Sequence, residues 1–272
     1  MQVTKNGKAL DYSILIDRFL LLTLQTDHVL ATGDSREIKR RLQSLPTDLT
    51  EAYRDVFERM TEPAFARRIL GWILHAQSLL TMEGLQEALA IEIGVPVLDY
   101  DLITEPEVIV RTCQGLVSYG LDTGYVTLSH ETVKTFLENN ELERLPSYSE
   151  LAKTCLTYLQ SPVFENWDTA VTFHQTSFCR FLGHAASFWS LHIRQSEGEL
   201  ELARALLETF NSSSRRNLVA YFGARLVGSL RRYGVSNKRH MLNFFIEHEV
   251  AFMFISPIRE AMSVYLKFNE RS

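Results

Sequence analysis

The spacing of apolar residues changes from a strand-like period of two to a helical period within residues 115–137. Two short apolar runs flank a turn sequence, Asp-Thr-Gly at residues 122–124, which predicts a β-hairpin. Directly afterwards Val133 and Leu137 repeat at helical spacing, so we expect a helix that can begin at His130. This stretch therefore predicts a hairpin followed at once by a helix.

Two amphipathic helices are predicted upstream of the hairpin. One opens at Leu79-Leu80-Thr81. The other opens at Thr104-Glu105-Pro106, where a proline suits the first helical turn. The resulting order of helix, helix, hairpin and helix is that of a winged-helix domain.

The rest of the pattern is helical. Residues 12–24 are apolar around much of the predicted helix, which is typical of a segment buried among neighbours. Helices are also expected over 200–210, 218–230, 241–252 and 258–268. One further helix carries an aromatic stripe that we assign to the core, formed by Phe178, Phe181, Leu182, Ala185, Phe188, Trp189 and His192.

These patterns predict a mostly α protein with three domains. Residues 1–62 form a helical lead-in, and residues 63–145 form a winged-helix domain with a small β-hairpin. Residues 146–272 form a C-terminal α-helical array, and the turn-forming sequence Leu145-Pro146-Ser147 marks the boundary before it.

Charge and cysteine usage narrow the class of protein. The formal charge is −5, so overall charge does not point to nucleic acid. Residues 211–272 are basic, with ten Lys or Arg and four Asp or Glu; a solvated face is the favoured interpretation and a binding patch the alternative. No CxxC pair, signal-peptide pattern or bilayer-length apolar run occurs, which predicts a cytoplasmic protein without a membrane partner.

Two glycines have the spacing of half a phosphate-binding loop. Gly115 and Gly120 match the start of GxxxxGK[ST], but Leu121 and Asp122 stand where Lys and Ser or Thr are needed. Nothing would reach the β- and γ-phosphates, and the aspartate would repel them. We therefore expect no nucleotide cofactor to be bound by this chain alone.

Catalytic and metal sites are not expected either. His174, Cys179 and His184 recur every five residues, so successive side chains would lie about 140° apart on a helix and could not converge on one ion. Residues 129–131, Ser-His-Glu, are adjacent and alternate sides, so they cannot form a relay. We predict that the protein is not an enzyme.

A winged helix also suggests DNA binding, through the helix before the hairpin. That helix begins EPEVIVR, with Glu105 and Glu107 in the turn that should meet base edges and only Arg111 to offset them. Phosphate would repel this turn, so the sequence disfavours nucleic acid as a partner.

Several stretches resemble fungal NACHT-type NOD-like receptors, STAND-class signalling ATPases of innate immunity that often carry ankyrin repeats. They are LPTDLTEAY at 45–53, ILGWIL at 69–74, LTMEGLQEAL at 80–89, LSHETVKTFL at 128–137 and FCRFLGHAASFWSLH at 178–192. The resemblance covers most of residues 14–195 and is strongest over 45–137.

The resemblance implies a role for one histidine. In such receptors the NACHT core holds Walker A and Walker B motifs, and the winged helix closes over bound ADP. The histidine that reaches the β-phosphate falls on His130 in this sequence, so the resemblance implies an ADP phosphate contact by His130 when a NACHT core is present. The alternative is that His130 only caps a helix or fills a niche in the core.

The sequence departs from the receptors in ways that bear on function. Walker A, Walker B and sensing repeats are absent, and Gly84 replaces the glutamate expected three residues after Thr81. We expect a fragment or truncated relative: a non-catalytic regulatory and interaction module, whose protein partners include a NACHT core or a repeat domain. The alternatives are a stand-alone helical interaction scaffold without nucleotide control and, third, a winged-helix nucleic-acid binder.

Overall fold

The computed structural model describes residues 12–30, 34–165, 179–196 and 200–211. Phe178 of the aromatic stripe and the helices expected beyond residue 211 lie outside the described residues. Within the described ranges the protein is mostly α, with ten α-helices and a small three-stranded antiparallel sheet. The predicted fold class is confirmed.

Helices precede, interrupt and follow the three short strands along the chain. The α-helices are α1 (Tyr12–Leu30), α2 (Ser35–Gln43), α3 (Leu49–Arg59), α4 (Pro63–His75), α5 (Met82–Ala90), α6 (Pro106–Thr112), α7 (Glu131–Phe136), α8 (Tyr148–Leu159), α9 (Leu182–Gln195) and α10 (Leu200–Phe210). The strands are β1 (Leu80–Thr81), β2 (Val117–Tyr119) and β3 (Tyr125–Leu128). Short 3₁₀ turns cover Tyr100–Leu102, Leu142–Arg144 and Pro162–Glu165, and a π-helical turn, Leu137–Glu141, continues α7.

The chain divides into two compact units. Unit 1 is Met1–Pro63 with His130–Glu141, and unit 2 is Ala64–Ser129 with Leu142–Ser272. The domain boundaries predicted from the sequence stay predictions. Among the described helices, none combines the length and the apolar character that crossing a bilayer requires.

The predicted hairpin is formed by β2 and β3. Val117 pairs with Leu128 and Tyr119 with Val126, and the turn between the strands carries Gly124 at a positive φ of 70°. The sheet has the order β1-β3-β2, because Leu80 also pairs with Val126. The strand β1 differs from the sequence-based expectation, which places its two residues at the start of a helix.

The core of unit 1 lies between α3 and α7. Tyr53 and Phe57 of α3 pack on Phe136, with ring centroids 5.3 and 5.8 Å apart. The prediction that residues 12–24 are buried among neighbours is wrong for Phe19 and Leu22, which are 73% and 60% exposed, whereas Leu24 is buried. An apolar periodicity marks the faces of a helix that neighbours could cover, and α1 contacts α2 and α3.

The core of unit 2 is built from α4, α5, α8 and α9. Phe181, Phe188 and Trp189 are buried, which confirms the aromatic stripe for the members that the structure describes. Trp72 of α4 meets Phe181 edge-on at 5.2 Å between ring centroids. A Cβ at Gly71 would lie 2.5 Å from Pro146 Cδ, so the absence of a side chain lets α4 approach the segment that leads into α8.

Candidate functional site

His130 lies at the junction between β3 and α7 and is the N-cap of that helix. Its backbone is extended, with φ −155° and ψ 156°, and its side chain accepts a hydrogen bond from the Thr132 N–H at 3.3 Å from Nδ1. The junction predicted from the sequence is therefore present, with the imidazole at the start of α7.

A chain of hydroxyl groups fixes the imidazole. Thr132 Oγ1 is 2.8 Å from His130 Nδ1, and Tyr53 Oη on α3 is 2.8 Å from the same Thr132 oxygen. All three residues belong to unit 1. Because Nδ1 accepts the Thr132 N–H, the proton of the neutral ring lies on Nε2.

The second ring nitrogen of His130, Nε2, is a hydrogen-bond donor. Within the described residues, Nε2 of His130 has no hydrogen-bond partner, and the side chain is half-buried. An N–H held in this way can donate to an anionic oxygen such as that of a phosphate. The geometry is equally that of a helix cap, so the phosphate contact stays a prediction.

The two glycines of the incomplete phosphate loop, Gly115 and Gly120, flank strand β2 of the hairpin, and the turn that follows contains a third glycine, Gly124. Gly120 donates its N–H to Tyr125 O at 3.0 Å, and Gly124 donates to Gly120 O at 2.7 Å. Leu121, which replaces the loop lysine, is 84% exposed at the tip of the turn. The backbone donors at Gly120 and Gly124 are thus used within the turn rather than left for phosphate.

The helix that would read DNA is short and acidic. This helix, α6, has seven residues; Glu105 stands at its N-cap and makes no capping hydrogen bond, and Glu107 lies in its first turn. Both carboxylates are exposed, as is Arg111. The N-terminal end of α6 therefore carries exposed negative charge, as the sequence predicts.

Of the metal-ligand candidates considered from the sequence, the structure describes Cys179 and His184. His174 lies outside the described residues, and Cys179 is not part of the group that the structure forms. His184 is instead grouped with Cys155 and His192 in the interior of unit 2. The only sequence signal for this group is the spacing of eight residues between the two histidines, and nothing in the sequence pointed to Cys155.

The comparisons with known proteins agree with the winged helix. Residues 56–152, about a third of the chain, match the family model described as the winged helix domain of GPI inositol-deacylase. No curated protein and no solved structure matches the chain. The match supports an accessory or regulatory module, and it is consistent with the winged helix of the resembled receptors without identifying the chain as one of them.

Proposed function

We propose that this chain is a non-catalytic regulatory and interaction module of a NACHT-type signalling receptor. Its winged helix acts as the nucleotide-state switch when a NACHT core is present in the same chain or in a partner chain. In that state His130 donates a hydrogen bond from Nε2 to a phosphate of ADP.

The hydrogen bonds of His130 carry this proposal. Its Nδ1 is held by Thr132, whose hydroxyl also meets Tyr53, so the ring keeps one orientation and one tautomer. A donor prepared in this way contacts an anion without first giving up conformational freedom. Residues 56–152, which include His130, match a winged-helix domain, the module to which the proposal assigns the switch.

Two other functions make different demands on the protein. A stand-alone interaction scaffold uses the same helices but has no need of a donor at Nε2 of His130. A nucleic-acid binder needs a basic recognition helix, whereas α6 starts with Glu105 and Glu107. Salt-sensitive DNA binding by the chain would favour this third function over the first two.

Joining the chain to an upstream NACHT core allows the switch to be tested. We expect His130→Ala to weaken ADP binding by about ten- to a hundredfold, since a charge-assisted hydrogen bond is worth roughly 1.5–3 kcal/mol. Calorimetry with ADP measures this difference between the parent and variant receptors.

His130→Asn separates the contact from the helix cap. Asparagine is a good N-cap, so this variant keeps the start of α7 while it removes the imidazole donor. We expect it to bind ADP as weakly as His130→Ala and to unfold at nearly the parent urea concentration. Parent-like ADP affinity in both variants would show that His130 is only a cap, and the scaffold function would then be preferred.

A further inference from the structure

Three potential metal ligands from two helices meet in the interior of unit 2. Cys155 lies on α8, while His184 and His192 lie about two turns apart on α9. One ligand atom from each residue lies within 4.8 Å of the other two, and all three side chains are buried. Side chains from separate parts of the sequence thus converge on one point.

The distances suit a tetrahedral ion. The Nε2 atoms of His184 and His192 are 3.5 Å apart. Zinc–nitrogen bonds of about 2.0–2.1 Å and zinc–sulfur bonds of about 2.3 Å separate neighbouring ligand atoms by about 3.3–3.7 Å in a tetrahedral site. The two nitrogens already have this separation, and the Cys155 sulfur needs to approach by about 1 Å at most.

In the metal-free protein the two Nε2 atoms form a hydrogen bond with each other at 3.5 Å, and a bound ion would replace this contact. Nδ1 of His184 lies 3.4 Å from Ser78 Oγ, and donation to that oxygen leaves the lone pair of the ring on Nε2. Nδ1 of His192 is buried without a hydrogen-bond partner among the described residues. Packing against Trp72 and Tyr148 holds the buried His192 ring with its Nε2 towards His184.

The protonation states of His184, His192 and Cys155 also bear on metal binding. Burial, with a smaller effect of His192, lowers the pKa of His184 to about 3. Burial, with a smaller effect of His75, lowers the pKa of His192 to about 4. Both imidazoles are therefore neutral at pH 7, with lone pairs available to a metal. Burial raises the pKa of the Cys155 thiol, so the metal-free thiol keeps its proton.

We propose that Cys155, His184 and His192 form a structural site for a divalent transition-metal ion, and that Zn²⁺ is the ion this ligand set fits. On binding, Cys155 forms a sulfur–metal bond and its thiol proton leaves to solvent. The imidazole that carries its proton on Nε2 in the metal-free protein takes the Nδ1–H tautomer, and both rings then donate their Nε2 lone pairs. A water molecule or a fourth side chain completes the tetrahedron. The ion clamps α8 to α9.

Cobalt is the probe for this site, because a cobalt–thiolate bond gives a charge-transfer absorption that zinc lacks. We expect the purified full chain to bind one equivalent of Co²⁺ with that absorption, and Zn²⁺ to displace it. We also expect Zn²⁺ to raise the unfolding temperature, since an ion that binds only the folded state stabilises it. A parent chain that shows no cobalt–thiolate absorption overturns the proposal without any variant.

Cys155→Ala and Cys113→Ala form a matched pair, since both thiols are fully buried and unpaired by disulfides. We expect Cys155→Ala to lose the cobalt–thiolate absorption and to weaken Zn²⁺ binding by at least tenfold, measured by competition with a chromophoric chelator. Cys113→Ala should keep both properties. Retention of the absorption in Cys155→Ala would place the metal on another thiol and overturn the site. If Cys155→Ala fails to fold, His184→Asn takes its place beside the parent spectrum. We expect His184→Asn also to weaken Zn²⁺ binding by at least tenfold, and parent-like binding would overturn the site.

Discussion

At the scale of single residues, Glu87 joins helices that are distant in the sequence. Its carboxylate accepts a hydrogen bond from the Tyr158 hydroxyl at 2.6 Å. It also accepts from the backbone N–H groups of Arg180 and Phe181 at 2.8 and 2.9 Å. The last two donors precede α9, so a side chain of α5 satisfies groups at the start of α9 while it also holds α8.

Glu87→Gln should destabilise the protein by about 1–3 kcal/mol. The amide keeps one acceptor oxygen, and its NH₂ group would face donors that the carboxylate satisfies. Urea unfolding measures the loss. Glu83→Gln on the exposed side of the same helix is the control and should stay within about 0.5 kcal/mol of the parent. Equal unfolding midpoints for the two variants would mean that the Glu87 hydrogen bonds add no net stability.

Local polar contacts could be predicted from the sequence, whereas those of Glu87 could not. The sequence predicts a helix that opens at Leu79-Leu80-Thr81, and in the structure the Thr81 hydroxyl accepts the Gly84 N–H three residues on. The partners of Glu87 lie 71 to 94 residues away, and they become neighbours only when α8 and α9 pack. The same limit explains why Cys155 was not grouped with His184 and His192.

At the scale of secondary structure, sequence-local elements were predicted and the non-local strand was missed. The hairpin of β2 and β3 is specified by its own turn, so adjacent residues carry the signal. In contrast, β1 is two residues long and exists because Leu80 pairs with Val126 of a later strand. A two-residue run has no periodicity of its own, so only the folded sheet defines it as a strand.

The aromatic stripe of α9 should supply much of the stability of the helical array. Trp189 is fully buried and packs on Phe210 of α10 at 4.8 Å between ring centroids. Trp189→Ala should therefore lower the free energy of unfolding by about 3–5 kcal/mol in urea denaturation. Phe19→Ala, at an exposed aromatic position on α1, should change it by less than about 0.5 kcal/mol. A parent-like midpoint for Trp189→Ala would make the stripe a partner surface instead of core.

At the scale of the whole molecule, the fold class could be predicted from the sequence. The proposed function depends on His130 and on the resemblance to NACHT-type receptors. The match of residues 56–152 and the three-stranded sheet agree with the winged helix inferred from the order of elements. Fold alone does not assign function, because winged helices serve several. The structure adds the hydrogen bond between Tyr53 and Thr132 beside His130, which a sequence cannot provide since these two residues are 79 positions apart.

The chain on its own should neither bind nor hydrolyse ATP. A P-loop binds nucleotide phosphates through free backbone N–H groups and a lysine, and the full sequence contains no GxxxxGK[ST] motif. The glycine pair that comes nearest, Gly115 and Gly120, flanks β2, and the Gly120 N–H is already bonded to Tyr125 O. A single donor at His130 Nε2 holds a phosphate only when other groups supply the remaining contacts.

Calorimetry with ATP, ADP and Mg²⁺ tests this prediction on the purified chain, with near-ultraviolet circular dichroism as the check that it is folded. We expect no heat of binding up to millimolar nucleotide and no phosphate release. His130→Asn should match the parent in this experiment, although the two should differ once a NACHT core is attached. Micromolar binding by the isolated parent that His130→Asn abolishes would mean that His130 belongs to a complete nucleotide site within this chain. The switch would then need no separate core.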